Sequence, residues 1–373
     1  MRHAEPTSAR APAGRLLLGP GPSPVAPRVM RAMQAPVLSH LDPQMMAVLD
    51  DIRVRLGRLF HAADGAFSFA VSGTGTAGME AAVANLTRPG ARALSIVNGY
   101  FGDRLAQMLQ RHGAEVARVD VEWGRACDPA QLERALASGA DVVTMVHAET
   151  STGVLNPVAE LCRIASARGA LTIVDAVTSL AVHPVDAGGW GADAVYSCSQ
   201  KGLGAPSGLA PITFRLKPEE ASRLKAGATY SFYLDLELLR AYWIDRKYHH
   251  TISSPLIFAL QEGLAAVEEE GLEARFERHR ANHLAFADGL ARIGLELLPP
   301  PGERLWSLNA VKVPDGVNEA AIRGALLNDY GIEIGAGLGP LSGKIWRIGL
   351  MGSGSSEENV TRLLDALRAL LRR

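Results

Sequence analysis

Lys201 is the residue whose surroundings most suggest chemistry. It lies in Ser197-Cys198-Ser199-Gln200-Lys201-Gly202-Leu203-Gly204-Ala205-Pro206-Ser207-Gly208, where a β-like run ends in small polar residues and gives way to glycines. Most lysines are solvated surface charges, but one boxed in by small residues at a strand end can be desolvated. Desolvation lowers the ordinary lysine pKa of about 10.4 and leaves a neutral amine that can condense with a carbonyl group. Upstream, the run Leu171–Val174 ends in Asp175. A carboxylate there either pairs with a pyridinium nitrogen, keeping that ring protonated as an electron acceptor, or simply caps a turn or helix. Further upstream, Ser72-Gly73-Thr74-Gly75-Thr76-Ala77-Gly78 joins a β-like run to a helical pattern. Its glycines let backbone N–H groups approach an anion at a helix N-terminus, and Thr74 and Thr76 add hydroxyls. A dinucleotide site would want an acid at the end of the next strand, but that strand ends Ile96-Val97-Asn98-Gly99. A single phosphate therefore fits better; a glycine turn kept for tight packing is the bland alternative. Taken together, the three features offer a partner to the phosphate, the ring nitrogen and the aldehyde carbon of pyridoxal 5'-phosphate.

Arg347 stands in the apolar run Ile345-Trp346-Arg347-Ile348. A buried guanidinium is costly without an anion, and its fork suits a carboxylate, either a substrate's or that of an internal Asp or Glu. His279 and His283 have the i, i+4 spacing of helical metal ligands. They stand among Arg275, Arg278 and Arg280, which reads as a solvated face, and no metal is expected. His147 ends a β-like run, where it could support a site residue. Cys198 lies close to Lys201 but has no second cysteine nearby, which weighs against a cysteine desulfurase.

These residues need a frame. Asp42-Pro43 opens a helical pattern that runs to Phe60, with Asp42 at N-cap and Pro43 at N1. β-like runs at Phe67–Val71, Ala93–Val97, Val116–Val119, Val142–His147, Leu171–Val174 and Ala194–Ser197 then alternate with helical patterns such as Ala77–Leu86 and Gly102–Arg111. Such alternation predicts an α/β fold with a mostly parallel sheet, whose ligands sit at the carboxyl ends of the strands. Helical patterns follow at Leu256–Glu270 and Glu273–Ile293, and beyond Pro299-Pro300-Pro301-Gly302 the pattern restarts as a smaller α+β unit. The expected division is a mobile N-terminal tail over residues 1–14, a large cofactor-binding domain over 15–270 and a small C-terminal domain over 271–373.

Composition narrows the function classes. The 373 residues carry 38 basic and 39 acidic side chains, and with no basic run nothing points to nucleic acid or an anionic membrane. No stretch approaches the ~20 apolar residues of a membrane helix. The basic N-terminus lacks the apolar run of a secretory signal. Three scattered cysteines suit a reducing compartment rather than a disulfide framework. A cytoplasmic enzyme of small metabolites is expected.

The motifs resemble those of class V pyridoxal-phosphate aminotransferases, specifically the alanine–glyoxylate and serine–glyoxylate (serine–pyruvate) group. Carrying the resemblance, in order, are GPGP near the start, SGTGTAGMEAA, NGYFGDR, HAETSTGV, VDAVTS, SQKGLGAPSG, YHHT and RIGLMG; it spans nearly the whole chain. It implies the type I fold of these enzymes: a large domain with a mostly parallel seven-stranded sheet and a smaller α+β domain. It implies that Lys201 carries the cofactor, that Asp175 meets the ring nitrogen and that Val177 and Phe101 lie on the two ring faces. Thr74, Gly75, Thr76 and Gln200 would hold the phosphate, and Thr150 the ring oxygen. Tyr248 and Thr251 would reach the phosphate in the neighbouring subunit of a homodimer with shared sites. Arg347 would take the substrate carboxylate, with Gly21 lining the same pocket. Some relatives have Trp where this chain has Phe101, and many place a proline nearer the threonine of YHHT than Pro255 stands here. The implied reaction is ping-pong transfer of an amino group from alanine or serine to glyoxylate or pyruvate. Another pyridoxal-phosphate reaction on the same fold stays open: a lyase, a phosphonate transaminase or a ureidoglycine–glyoxylate aminotransferase.

Overall fold

The computed structural model describes residues 14–215 and 231–372. Except for Gly14, the expected N-terminal tail lies outside the described residues. Seven strands form the main sheet: β2 (Phe67–Ser72), β3 (Arg92–Val97), β4 (Glu115–Asp120), β5 (Val142–Val146), β8 (Leu171–Asp175), β9 (Ala194–Tyr196) and β10 (Leu209–Phe214). Their order is β2-β10-β9-β8-β5-β3-β4. The run from β9 to β4 is parallel throughout, and β10 alone runs antiparallel to both its neighbours. Central strands such as β5 are buried along their whole length, as expected of a parallel sheet covered by helices on both faces. Helices α1 (Pro27–Ala32), α2 (Pro43–Leu59), α3 (Gly75–Leu86), α4 (Tyr100–Arg111), α5 (Pro129–Ala135) and α6 (Val158–Ala167) accompany them. The Asp42 side chain caps α2 by accepting from Gln44 N, with proline in the first turn, as its sequence predicts.

Strand β10 is absent from the alternation read in the sequence because Pro211 interrupts it, and proline ordinarily excludes a central strand. The structure shows why it is tolerated. Pro211 accepts a hydrogen bond from Ser197 N (2.7 Å), so its nitrogen also faces the β9 side. There β9 has already ended at Tyr196, so the bond that proline cannot make falls just beyond the end of the β9 ladder, opposite Ser197.

A second core gathers around the three-stranded antiparallel sheet of β11 (Leu308–Lys312), β14 (Ile345–Gly349) and β13 (Gly335–Ala336), and includes Phe286, Trp346 and Leu363. Leu18, from the start of the described chain, packs in it. Just before it, β1 (Leu16–Leu17) pairs in parallel with β12 (Ile332–Glu333). The N-terminal segment is thereby pinned to the C-terminal unit, and the following Gly19–Pro24 stretch is brought against Lys201. Among the described residues no helix is long and apolar enough to cross a membrane.

Candidate active site

The carboxyl ends of five parallel strands converge on one cavity. Strand β2 leads into α3, and the cavity wall there is Thr74, Gly75 and Thr76. Gly73 has φ +151°, and a Cβ on it would strike Ala77, so the turn into the helix requires glycine. No side chain caps α3, which leaves hydrogen-bonding capacity at its N-terminus for an anion.

Asp175 closes β8 and is buried. Its Oδ1 accepts from Val177 N and its Oδ2 from the Tyr196 hydroxyl, each at 2.8 Å. Burial pushes its carboxyl up to about 7; the two hydrogen bonds and Lys201 pull the other way. Only a cationic or hydrogen-bond-donating ligand would restore full ionisation at that spot. Tyr196 stands directly opposite Asp175 in the β8–β9 register, a partner the sequence reading missed because pairing register between strands is not visible in the chain.

Lys201 sits in the turn after β9, held from the other end of the chain. Ser23 N donates to Gln200 O (2.9 Å) and Ser23 Oγ to Lys201 O (2.7 Å). Lys201 Nζ donates to Pro20 O. Burial lowers its pKa, and the charge of Arg347 acts in the same direction, against Cys198 and Asp175. Gly21 has φ +123°, and a Cβ there would collide with Lys201 Nζ, so any side chain would obstruct the amine.

The remaining wall comes from the short hairpin β6 (Ala148–Glu149) and β7 (Val154–Leu155) and from α4. Thr178 Oγ1 donates to Ala148 O (2.9 Å), so in the Thr150–Thr178 hydroxyl pair (2.8 Å) Thr150 must be the donor. It thereby keeps lone pairs to offer a ligand. Glu149 is fully buried and accepts from Phe101 N, Gly102 N, Ser151 N and Ser151 Oγ. It anchors the first turn of α4, the helix that carries Phe101 into the cavity wall that Val177 also lines. Glu149, in β6, and the wall residue Arg104, early in α4, were also missed; single charges in such places read as ordinary surface groups in sequence.

Of the other expected residues, Gln200 lines the cavity, whereas Arg347, Tyr248 and Thr251 do not. Arg347 is buried on β14 and donates to Ala336 O (2.7 Å). Burial lowers its pKa, opposed by the charges of Glu149 and Glu333. Tyr248 is 61% exposed and Thr251 is exposed as well. Burial pushes the Cys198 thiol up to about 12, which leaves it inert as a nucleophile. One sequence expectation is overturned: His279 and His283 lie on no solvated face but are buried. His279 donates from Nδ1 to Arg275 O (2.7 Å) and accepts from Gly352 N at Nε2 (3.1 Å), and His283 Nδ1 pairs with Asn309 Oδ1 (2.8 Å). Both are structural, and no cluster suited to a metal occurs among the described residues.

Comparison with known proteins matches residues 15–359 to the family described as aminotransferase class V. The chain belongs to that family. It is 38% identical over 365 residues to an alanine–glyoxylate aminotransferase of Oryctolagus cuniculus, covering 96% of this chain and 92% of that one. It is 36% identical over 379 residues to the (S)-ureidoglycine–glyoxylate transaminase of Bacillus subtilis, covering 96% and 91%. A solved alanine–glyoxylate aminotransferase from Nostoc sp. superposes with a TM-score of 0.96 at 41% identity, covering 98% of this chain and 97% of that one. This class V aminotransferase is thus an enzyme that uses pyridoxal 5'-phosphate. The cavity fits that group: a buried carboxylate awaiting a cation, a buried amine with lowered pKa, and an uncapped helix start face it together. The Gln200 amide oxygen in its wall is buried without a partner, as expected of a group that a ligand completes.

Proposed function

We propose that this aminotransferase moves an amino group from alanine or serine to glyoxylate or pyruvate in a ping-pong cycle. The observation that carries the reading is Lys201: a buried amine of lowered pKa, beside Asp175 and the α3 N-terminus. Lys201 would hold the cofactor at its aldehyde, Asp175 at the ring nitrogen, and Thr74, Gly75, Thr76 and Gln200 at the phosphate. Thr150 would meet the ring oxygen, and Val177 and Phe101 the ring faces. When bound, the cofactor supplies an aldehyde that captures amines and a protonated ring that accepts electrons. Lys201 would take the substrate Cα proton and later return one, as base and then acid. Burial lowers its pKa, which favours the unprotonated form that the first task needs. Asp175 would accept a hydrogen bond from the ring N–H and so favour the protonated ring. Arg347 would bind the substrate carboxylate, with Gly21 leaving room for the amine to move. The names of the relatives favour glyoxylate as acceptor.

Tyr248 and Thr251 are exposed and outside this chain's own cavity, which supports a role in the cavity of a second subunit, hence a homodimer. For the domains we propose a tail over residues 1–14 and a boundary near 270, between the two cores. A cytoplasmic location is part of the same proposal. The test is a donor panel of alanine, serine, aspartate and aminoethylphosphonate against glyoxylate and pyruvate. Alanine or serine with glyoxylate should turn over fastest and give parallel lines in double-reciprocal plots. Intersecting lines, or turnover confined to aspartate or the phosphonate, would refute the assignment.

A further inference from the structure

The wall of the cavity contains two cationic side chains, Lys201 and Arg104. Lys201 is committed to the aldehyde end of the cofactor. The phosphate of the cofactor is nearly a dianion, and the α3 N-terminus together with hydroxyl donors offers it only partial positive charge. Arg104 is the remaining full charge. Its Nη1 donates to Thr76 Oγ1 at 3.1 Å, the hydroxyl at the mouth of α3. Arg104 also lies on the same face of α4 as Tyr100 and Phe101, at the i+4 and i+3 spacings. Its guanidinium carbon stands 5.2 Å and 5.1 Å from their ring centroids, which holds the side chain over the cavity edge by cation–π attraction. The adjacent acid, Asp103, is engaged by Arg118 (2.6 Å), and Arg104 has no ion pair among the described residues. An arginine with rigid aromatic support, a donor bond to the phosphate loop and no carboxylate partner is poised for an anion.

We propose that Arg104 is a phosphate-binding residue of this enzyme, bonding the cofactor's phosphate beside Thr76 and supplying the full positive charge that the loop lacks. This inference rests on the pyridoxal-phosphate reading of the cavity. The guanidinium contributes to affinity for the phosphorylated cofactor rather than for the ring, because its one hydrogen bond in the cavity is to Thr76 in the phosphate loop.

The test is equilibrium titration of the cofactor-stripped full chain with pyridoxal 5'-phosphate and, separately, with pyridoxal, followed by absorbance and by borohydride trapping. In Arg104→Gln the dissociation constant for pyridoxal 5'-phosphate should rise about tenfold or more, with that for pyridoxal unchanged. Arg104→Lys, which keeps the charge without the fork, should fall between. Unchanged pyridoxal binding also shows that the Gln variant is folded and that its Lys201 site is intact. An Arg104→Gln chain that binds pyridoxal 5'-phosphate within about twofold of the wild type overturns the role of Arg104 alone. So does equal weakening for both ligands, which would mean that the arginine only props Phe101. A wild-type chain that takes up neither ligand instead overturns the functional reading, and this inference with it.

Discussion

Two regions of this molecule that bury ionisable side chains invite comparison. At the sheet edge, Asp175, Glu149 and Lys201 lie in or under the cavity wall. On the helix Leu272–Arg292, Arg275, His279 and His283 are buried where that helix meets both cores. The two groups spend their hydrogen bonds differently. Arg275 gives its donors to Ala181 O, Gly202 O and Glu270. Neighbouring Arg278 reaches Gly352 O and Ser355 O. This helix therefore bolts the C-terminal segment around Gly352 to the turn that follows Lys201, and every charge in the bolt ends on a protein partner. The cavity keeps capacity in reserve: a carboxyl held near neutrality by burial, an amine of lowered pKa, a glutamine oxygen with no partner. Buried polarity that is fully answered within the chain maintains structure; buried polarity left partly unanswered marks a place for a ligand.

Substitutions should separate the two regions. The largest effect is expected for Lys201→Ala, which should lower transamination by roughly 10⁴-fold or more and abolish the borohydride-reducible yellow chromophore, while the unfolding midpoint of the cofactor-stripped chain stays close to wild type. Turnover near the wild-type rate would place the reacting amine elsewhere.

Asp175 gives a smaller effect, on the pH dependence of stability. Its carboxyl titrates near 7 in the folded chain against an ordinary 3.8. Folding therefore favours its protonated form, and that contribution, complete below about pH 4, is lost as pH rises through 7. Melting curves of the cofactor-stripped protein between pH 5 and 8 should show Asp175→Asn gaining on the wild type as pH rises, by at most about 4 kcal/mol. A constant difference across that range would mean that the carboxyl is ionised throughout.

The smallest effect belongs to the bolt. His279→Ala leaves Gly352 N and Arg275 O without their partner and should cost roughly 1–3 kcal/mol in denaturant unfolding, with KM and the activity per folded molecule unchanged. A selective loss of kcat without loss of stability would blur the distinction between the two regions.

Much of the cavity could be read in the chain because its parts follow strand ends. Asp175, Lys201 and the Gly73–Gly78 loop each follow the end of a β-like run with a residue type that packing does not require, and a parallel sheet collects such strand ends on one edge. The α/β alternation and the Asp42 cap were legible for the same local reason: period and capping are properties of neighbours in sequence. Local pattern does not encode which strands lie opposite one another. The pairing of Tyr196 with Asp175 is settled by β8–β9 register, and the tolerance of Pro211 by where β9 stops. His279 and His283 share their helix with Arg275, Arg278 and Arg280, so their one-dimensional pattern reads as solvent-facing. Only the docking of that helix between two cores, where Arg275 O and Gly352 N meet His279 and Asn309 Oδ1 meets His283, buries them instead. The clasp of Pro20 and Ser23 around Lys201 likewise depends on β1 pairing with β12 at the far end of the chain. The amino-acid sequence determined which groups could react; long-range packing decided which would be desolvated, and desolvation is what changes their chemistry.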